Sequence, residues 1–209
     1  ACLSTQIGCA VNCLFCATGK RGFIRNLTVS EIVDQILIIQ RDTNLKVSNI
    51  VFMGQGEPFL NYETVKKTIH LINQSLEIGS RKITVSTSGI IPYINKFAED
   101  FPQSTLAISL HAPNSKIKKK LLPIEEKYTI SDLIEALKHY NQKTNRRITI
   151  EYVLIKDLND SLQNAKELMS LLKDIHCNIN LIPYNKINDF DQLDTPANIQ
   201  VKKAKNMLG

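Results

Sequence analysis

The chain has 209 residues, 43% hydrophobic and 22% charged, and carries a net charge of +6 from 26 Lys and Arg against 20 Asp and Glu. Its many Ile, Leu and Val exclude a disordered chain, and the lack of any apolar run near ~18 residues excludes a spanning helix. One domain, or at most two, is expected, with a core large enough to need no disulfide staples.

Strand-like and helical patterns alternate along the chain. A first strand is expected over residues 2–7. A helix follows with Ile32, Val33, Ile36 and Leu37 on one face and Thr28 or Ser30 as its cap. The next strand covers 47–53, then a helix from about Tyr62 with Val65, Ile69 and Ile72 inward and Asn61 as cap. A strand over 82–86 precedes a helix after Pro92. A strand over 105–110 precedes a helix with Leu133, Ile134, Leu137 and Tyr140, capped by Ser131. The strand over 147–155 leads to a helix with Leu162, Ala165, Leu168 and Leu172, starting at Asp160 or Ser161. The last pair is a strand over 178–182 and a helix over 196–208.

Six such units imply an α/β fold of parallel strands with right-handed crossovers. The nearly continuous apolar strands fit burial on both faces. A closed eight-unit barrel needs about 250 residues, so a partial (β/α)6 TIM-like barrel is expected, with a doubly wound sheet as the alternative. Either places chemistry at the carboxyl ends of the strands. The polar and Gly-rich segments 8–16, 54–58, 86–89 and 183–185, with His111, all fall there.

The five cysteines are Cys2, Cys9, Cys13, Cys16 and Cys177. The odd count, with three inside eight residues, argues against a secreted disulfide framework and for a reducing, cytoplasmic setting. Cys9, Cys13 and Cys16 are spaced C-x3-C-x2-C directly after the first strand. Thiolates suit iron-sulfur clusters or zinc. A closed structural site takes four protein ligands, and no fourth lies nearby. Three thiolates on a cubane leave one iron open, where S-adenosylmethionine (SAM) could bind through its amino and carboxylate groups. The competing readings are a zinc knuckle with a distant ligand and unligated core cysteines.

This loop, with Phe15 before its last cysteine, resembles the radical SAM superfamily. The segments Cys2-Leu3-Ser4-Thr5-Gln6-Ile7-Gly8-Cys9, Cys13-Leu14-Phe15-Cys16-Ala17-Thr18-Gly19 and Arg25-Asn26-Leu27-Thr28 closely resemble the RlmN/Cfr-type RNA adenine methyltransferases. So do Gly54-Gln55-Gly56-Glu57-Pro58, Ser86-Thr87-Ser88-Gly89, Ser109-Leu110-His111-Ala112-Pro113 and Asn180-Leu181-Ile182-Pro183-Tyr184-Asn185. Glu57-Pro58 and Leu110-His111-Ala112 are more similar to the RlmN branch, which methylates adenine carbon-2, than to the branch that methylates carbon-8.

The resemblance implies a 4Fe-4S cluster on Cys9, Cys13 and Cys16, and SAM cleavage to a 5′-deoxyadenosyl radical. It implies SAM contacts at Gly56, Glu57, Ser86, Ser109, Leu110, His111 and Asn185. Cys2, seven positions before the first ligand, matches the cysteine that resolves a covalent RNA–enzyme intermediate by forming a disulfide. Cys177 matches a non-catalytic position. The implied partners are 23S rRNA and tRNA, with an electron donor such as flavodoxin, no membrane, and a monomeric protein.

The family's methyl-carrying cysteine lies in a C-terminal segment, and its RNA-binding domain is N-terminal. Neither is present in these residues. With no initiator Met at Ala1, no signal peptide and no transit segment, the sequence reads as an excised core over 1–209 that cannot complete methyl transfer alone. Two basic groups, Lys20, Arg21 and Arg25, and Lys118, Lys119 and Lys120, are expected near the active rim as phosphate contacts, or else as solvated faces.

Overall fold

The computed structural model describes residues 1–187 and 193–208. The chain starts alongside a later strand. Cys2 forms a single parallel bridge with Val51, Leu3 N donates to Val51 O at 2.9 Å and Val51 N donates to Ala1 O at 2.9 Å. It then makes strand β1 (Gln6–Gly8), the one-turn helix α1 (Ala17–Lys20) and strand β2 (Phe23–Asn26), which pairs antiparallel with β1. Alternation follows: α2 (Val29–Thr43), β3 (Ile50–Phe52), α3 (Tyr62–Ser75), β4 (Ile83–Thr87), α4 (Ile91–Asp100), β5 (Thr105–Ser109), α5 (Ser115–Leu121), α6 (Ile130–Thr144), β6 (Ile148–Leu154), α7 (Leu162–Leu172), β7 (Cys177–Pro183) and α8 (Asn198–Leu208).

Strands β3 to β7 form one parallel sheet in sequential order. A doubly wound sheet would reverse its order at a switch point, so this is the α/β partial barrel. The expected first strand over 2–7 is the exception. Only its start lies along β3, and its end turns away into the β1–β2 ribbon. Among the described residues, no helix is long and apolar enough to cross a membrane.

Local chemistry sets the helix starts. At α2 the Thr28 hydroxyl accepts from Glu31 N, and the Glu31 carboxylate accepts from Thr28 N, a capping box. Ser161 and Asn164 do the same for α7. The cap of α6 is Thr129, not Ser131: its hydroxyl accepts from Asp132 N. Asn61 sits at the start of α3 but does not cap it with its side chain. That amide instead donates to Thr5 O at 3.0 Å and Leu27 O at 2.9 Å, tying the entry of the chain to the barrel.

The two faces of the sheet differ, contrary to the expectation of burial on both. One face carries Ile50, Phe52, Ile83, Val85, Leu106, Ile108, Ile148 and Ile150, all buried in the main core with Ile32, Ile36, Ile69, Phe97 and Leu137 from the helices. The opposite face carries Ser86, Ser109, Thr149, Glu151, Asn178 and Asn180. The period-2 alternation of a strand places these polar side chains together.

The Lys run is also split. Lys118 is buried on α5 with its ammonium 3.0 Å from the buried Glu125 carboxylate, so it is no phosphate contact; Lys119 and Lys120 stay exposed. Arg25 is exposed and forms a two-pronged pair with Glu31.

Candidate functional site

The loop after β1 is held at three points. Cys9 N donates to Gly22 O at 3.0 Å, and Leu14 N donates to Leu121 O at 2.9 Å at the end of α5. Phe15 meets His111 edge-on, with ring centroids 4.6 Å apart. Cys13 and Phe15 also pack on a small second apolar cluster of Leu121, Leu122, Val153, Ile155 and Tyr184. Helix α5, absent from the sequence reading, is therefore a support of the cysteine loop.

Cys9, Cys13 and Cys16 line one cavity of about 280 Å³ at the carboxyl ends of the strands. Gly56 and Glu57 from the loop after β3, Ser86 from β4 and Ser109 from β5 line the same cavity. Cys2, Leu110, His111 and Asn185 do not line it. Cys2 and Asn185 are exposed, and Leu110 and His111 are buried behind the wall. Cys177 is half-buried against the main core.

The thiols sit in an environment that disfavours negative charge. Burial pushes the Cys13 thiol far above its usual range, and the neighbouring Cys16, Cys9 and Glu57 add repulsion. Burial also raises Cys9, again with repulsion from Glu57 and Cys16. As thiolates these side chains need a positive group among them. Among the described residues, no three His, Cys, Asp or Glu side chains are grouped to grip a single metal ion. Cys9, Cys13 and Cys16 share the lining of the cavity, and neither Cys2 nor Cys177 joins them there. This donor set fits a cluster held by Cys thiolates with one corner not taken by the protein.

Glu57 is 4% exposed. Its Oε1 accepts from Phe59 N at 3.0 Å and its Oε2 from Ser88 N at 2.7 Å, while its own N donates to the Gln6 side chain at 2.8 Å. It staples the ends of β3 and β4 to β1. Burial raises its carboxyl against the lowering effect of these amides. Gly56 is needed for close approach at φ +98°: an added Cβ would lie 2.5 Å from Gln6 Cβ. The tight packing is thus against β1.

His111 carries an unusual backbone, φ +54°. Its Nδ1 accepts from Val153 N at 3.0 Å, and Asn159 Nδ2 donates to its carbonyl at 2.8 Å. An accepting Nδ1 is unprotonated. Burial, and then the charge of Lys118, hold the imidazole down to about 3. The unfolded chain takes up this proton near pH 6.5 and the folded chain does not. This part of the stability is complete above about pH 6.5 and drains away as pH falls toward 3, at about 1.4 kcal/mol per pH unit. Urea unfolding at pH 7 and pH 5 should therefore show the native chain losing about 2 kcal/mol more than His111→Gln. Equal losses would refute the assignment.

Glu151 was missed by the sequence reading, yet it lines the cavity and is 7% exposed. The available signal was a lone acidic residue inside an apolar strand.

The chain is similar to several known proteins. A protein of Clostridium novyi (strain NT) named "Probable dual-specificity RNA methyltransferase RlmN" is 50% identical over 190 residues, covering 90% of this chain and 55% of that one. A protein of the same name from Clostridium tetani is 47% identical over 209 residues, covering 99% and 60%. The chain thus spans a little over half the length of these relatives. A crystal structure of a radical SAM methyltransferase from Sphaerobacter thermophilus superposes with a TM-score of 0.95 at 43% identity, covering 99% of this chain and 62% of that one. Streptococcus suis SuiB bound to S-adenosylmethionine shares the fold, with a TM-score of 0.72 at 17% identity, covering 98% and 45%. The family model of the radical SAM superfamily matches residues 3–172, from the first buried leucine to the end of α7, and the chain belongs to that superfamily.

Proposed function

We propose that this chain is the radical SAM core of an RNA methyltransferase that modifies adenine carbon-2 in 23S rRNA and tRNA. The observation that carries this reading is the meeting of Cys9, Cys13 and Cys16 with Gly56, Ser86 and Ser109 around one cavity. The names of the relatives supply the substrate class. A reduced 4Fe-4S cluster on the three thiolates would supply the electron that splits SAM into methionine and a 5′-deoxyadenosyl radical.

The protein's own part is binding and orientation. The loop after β3 presents Gly56 and Glu57 to the amino-acid end of SAM. Ser86 and Ser109 offer hydroxyls from the wall, their Oγ atoms 3.5 Å apart. Leu110 and His111 act from behind: both donate backbone N–H groups to Glu151 O, at 3.1 and 3.3 Å. Asn185, exposed just past β7, is placed at the rim. Cys2, exposed at the chain start, is the resolving thiol. Its thiolate attacks the sulfur that links RNA to a second cysteine outside this sequence. An S–S bond forms and the C–S bond breaks; its electron pair goes to the carbon on adenine, which takes up a proton to become the methyl group, and the methylated adenine leaves. The proposal extends to an electron donor such as flavodoxin, a monomeric state and a cytoplasmic setting.

The test is anaerobic reconstitution with iron and sulfide, then dithionite and SAM. The expected products are 5′-deoxyadenosine and methionine in equal amounts, without RNA methylation by this core alone. A chain that takes up only zinc and never responds to SAM would refute the enzymatic reading in favour of a binding module.

A further inference from the structure

Two buried charges that the reaction does not use meet beside the cysteine loop. Lys118 on α5 and Glu125 in the turn Pro123–Glu126 are 1% and 0% exposed, and the ammonium lies 3.0 Å from Glu125 Oε2. Burial pulls the Lys118 ammonium down, against the lift from Glu125. Glu125 is the one recorded partner of that ammonium among the described residues, which leaves two of its three N–H donors over. A buried pair satisfied so sparingly adds little stability. Its connections show what it adds instead. Glu125 Oε1 accepts from Ser115 Oγ at 2.7 Å and from Ile130 N at 3.0 Å. One carboxylate thus ties together the first residue of α5, its middle and the first residue of α6. The far end of α5 carries the loop: Leu121 O accepts from Leu14 N at 2.9 Å, next to Cys13 and Phe15.

We propose that the Lys118–Glu125 pair is a positioning device for the cysteine loop: it fixes the Leu121 carbonyl, and through Leu14 the thiols of Cys13 and Cys16. The inference rests on the cluster reading above. Helix α5 has only two turns and cannot hold its place by itself. Against the loop it packs through apolar groups, with Ile117 and Leu121 in the cluster that also takes Cys13 and Phe15. Such contacts are non-directional and would let the helix slide. An ion pair on a carboxylate that is hydrogen-bonded at both ends of the helix admits one arrangement. A helix shifted along its axis would carry Leu121 O away from Leu14 N, whereas a metal centre needs its ligands placed within about 0.5 Å.

Competition with an iron chelator on the anaerobically reconstituted chain tests this without turnover. Lys118→Met combined with Glu125→Gln removes both charges together, nearly keeps the side-chain volumes and leaves an oxygen for Ser115 and Ile130. This double variant should unfold in urea at or above the wild-type midpoint, because replacing a buried pair as a whole is often neutral or stabilising. It should nevertheless hold its iron about tenfold more weakly or worse, the usual effect of removing an outer support of a metal ligand. Lys66→Met, which breaks the Lys66–Asp100 pair between α3 and α4, should leave iron retention unchanged. The inference is overturned if the double variant keeps iron as the wild type does, or if Lys66→Met weakens retention equally. It is also overturned if the urea midpoint of the double variant falls, since the pair would then serve stability. A wild-type chain that takes up no iron-sulfur cluster would sink the cluster reading itself, and the inference with it.

Discussion

Cys13→Ala is expected to reduce cluster uptake to background. After anaerobic reconstitution its iron and sulfide content should fall with the loss of the broad visible absorption of an iron-sulfur centre. The physical reason is that the site has three thiols and no spare. Cys2 and Cys177 do not line the cavity, so among the described residues no fourth thiol is placed to take over. Loss of an outer partner of a metal ligand costs 10–100-fold in affinity, so loss of the ligand itself should cost more than about 100-fold. The fold should tolerate the change, since Cys13 is only half-buried at the edge of the small Leu121–Tyr184 cluster. Cys177→Ala is the matched control: a half-buried cysteine on β7, away from the cavity, whose loss should leave uptake intact. Full iron content in Cys13→Ala would refute the three-thiolate site.

Gly8→Ala should be the most damaging single methyl in the chain. Gly8 ends β1 at φ +75°, and an added Cβ would lie 1.8 Å from Gly22 O and 2.9 Å from Gly22 C. Both obstacles are backbone, so no side chain can swing aside. Gly22 O is also the acceptor for Cys9 N. The clash therefore forces the β1–β2 ribbon apart and takes the first thiol with it. Backbone strain and the lost bond together should cost about 3 kcal/mol or more. Urea unfolding measures the stability, and iron content measures the misplacement of Cys9. A variant with near-native stability and full cluster uptake would contradict the tight approach of the two strands.

Much of the architecture was legible because its signals are local. Apolar runs and 3.6-residue periodicity located β3 to β7 and six of the helices. The sequence marked two helix starts, at Thr28 or Ser30 and at Asp160 or Ser161; Thr28 and Ser161 take the role, each lying three residues before the Glu or Asn that closes a capping box. The short α1, the all-exposed β2 and the seven-residue α5 were not legible. Helix α1 and strand β2 bury little of their own surface, and β2 takes its form from its pairing with β1; α5 is too short to show a periodic pattern, and its buried Lys118 and Leu121 are held by Glu125 and by the cysteine loop. Asn61 shows the same limit. Its type suits a cap, but the carbonyls of Thr5 and Leu27 outcompete the helix for its amide.

The sequence by itself determined which atoms could do chemistry. Three thiols at C-x3-C-x2-C spacing state a donor set, and the alternation of elements states that they sit at a barrel rim. Only the tertiary structure decided which other side chains share the cavity and which stand behind it. Ser86, Ser109 and Glu151 line the thiols' cavity because parallel strands bring residues far apart in sequence together: Ser109 is in register with Glu151, and Ser86 is in register with Ala107, two residues before Ser109. His111, only two residues past Ser109, turns into the wall through its left-handed backbone and its bond from Val153. Position along the chain sets a residue's chemistry, but strand register and burial set whether it meets ligand or packing.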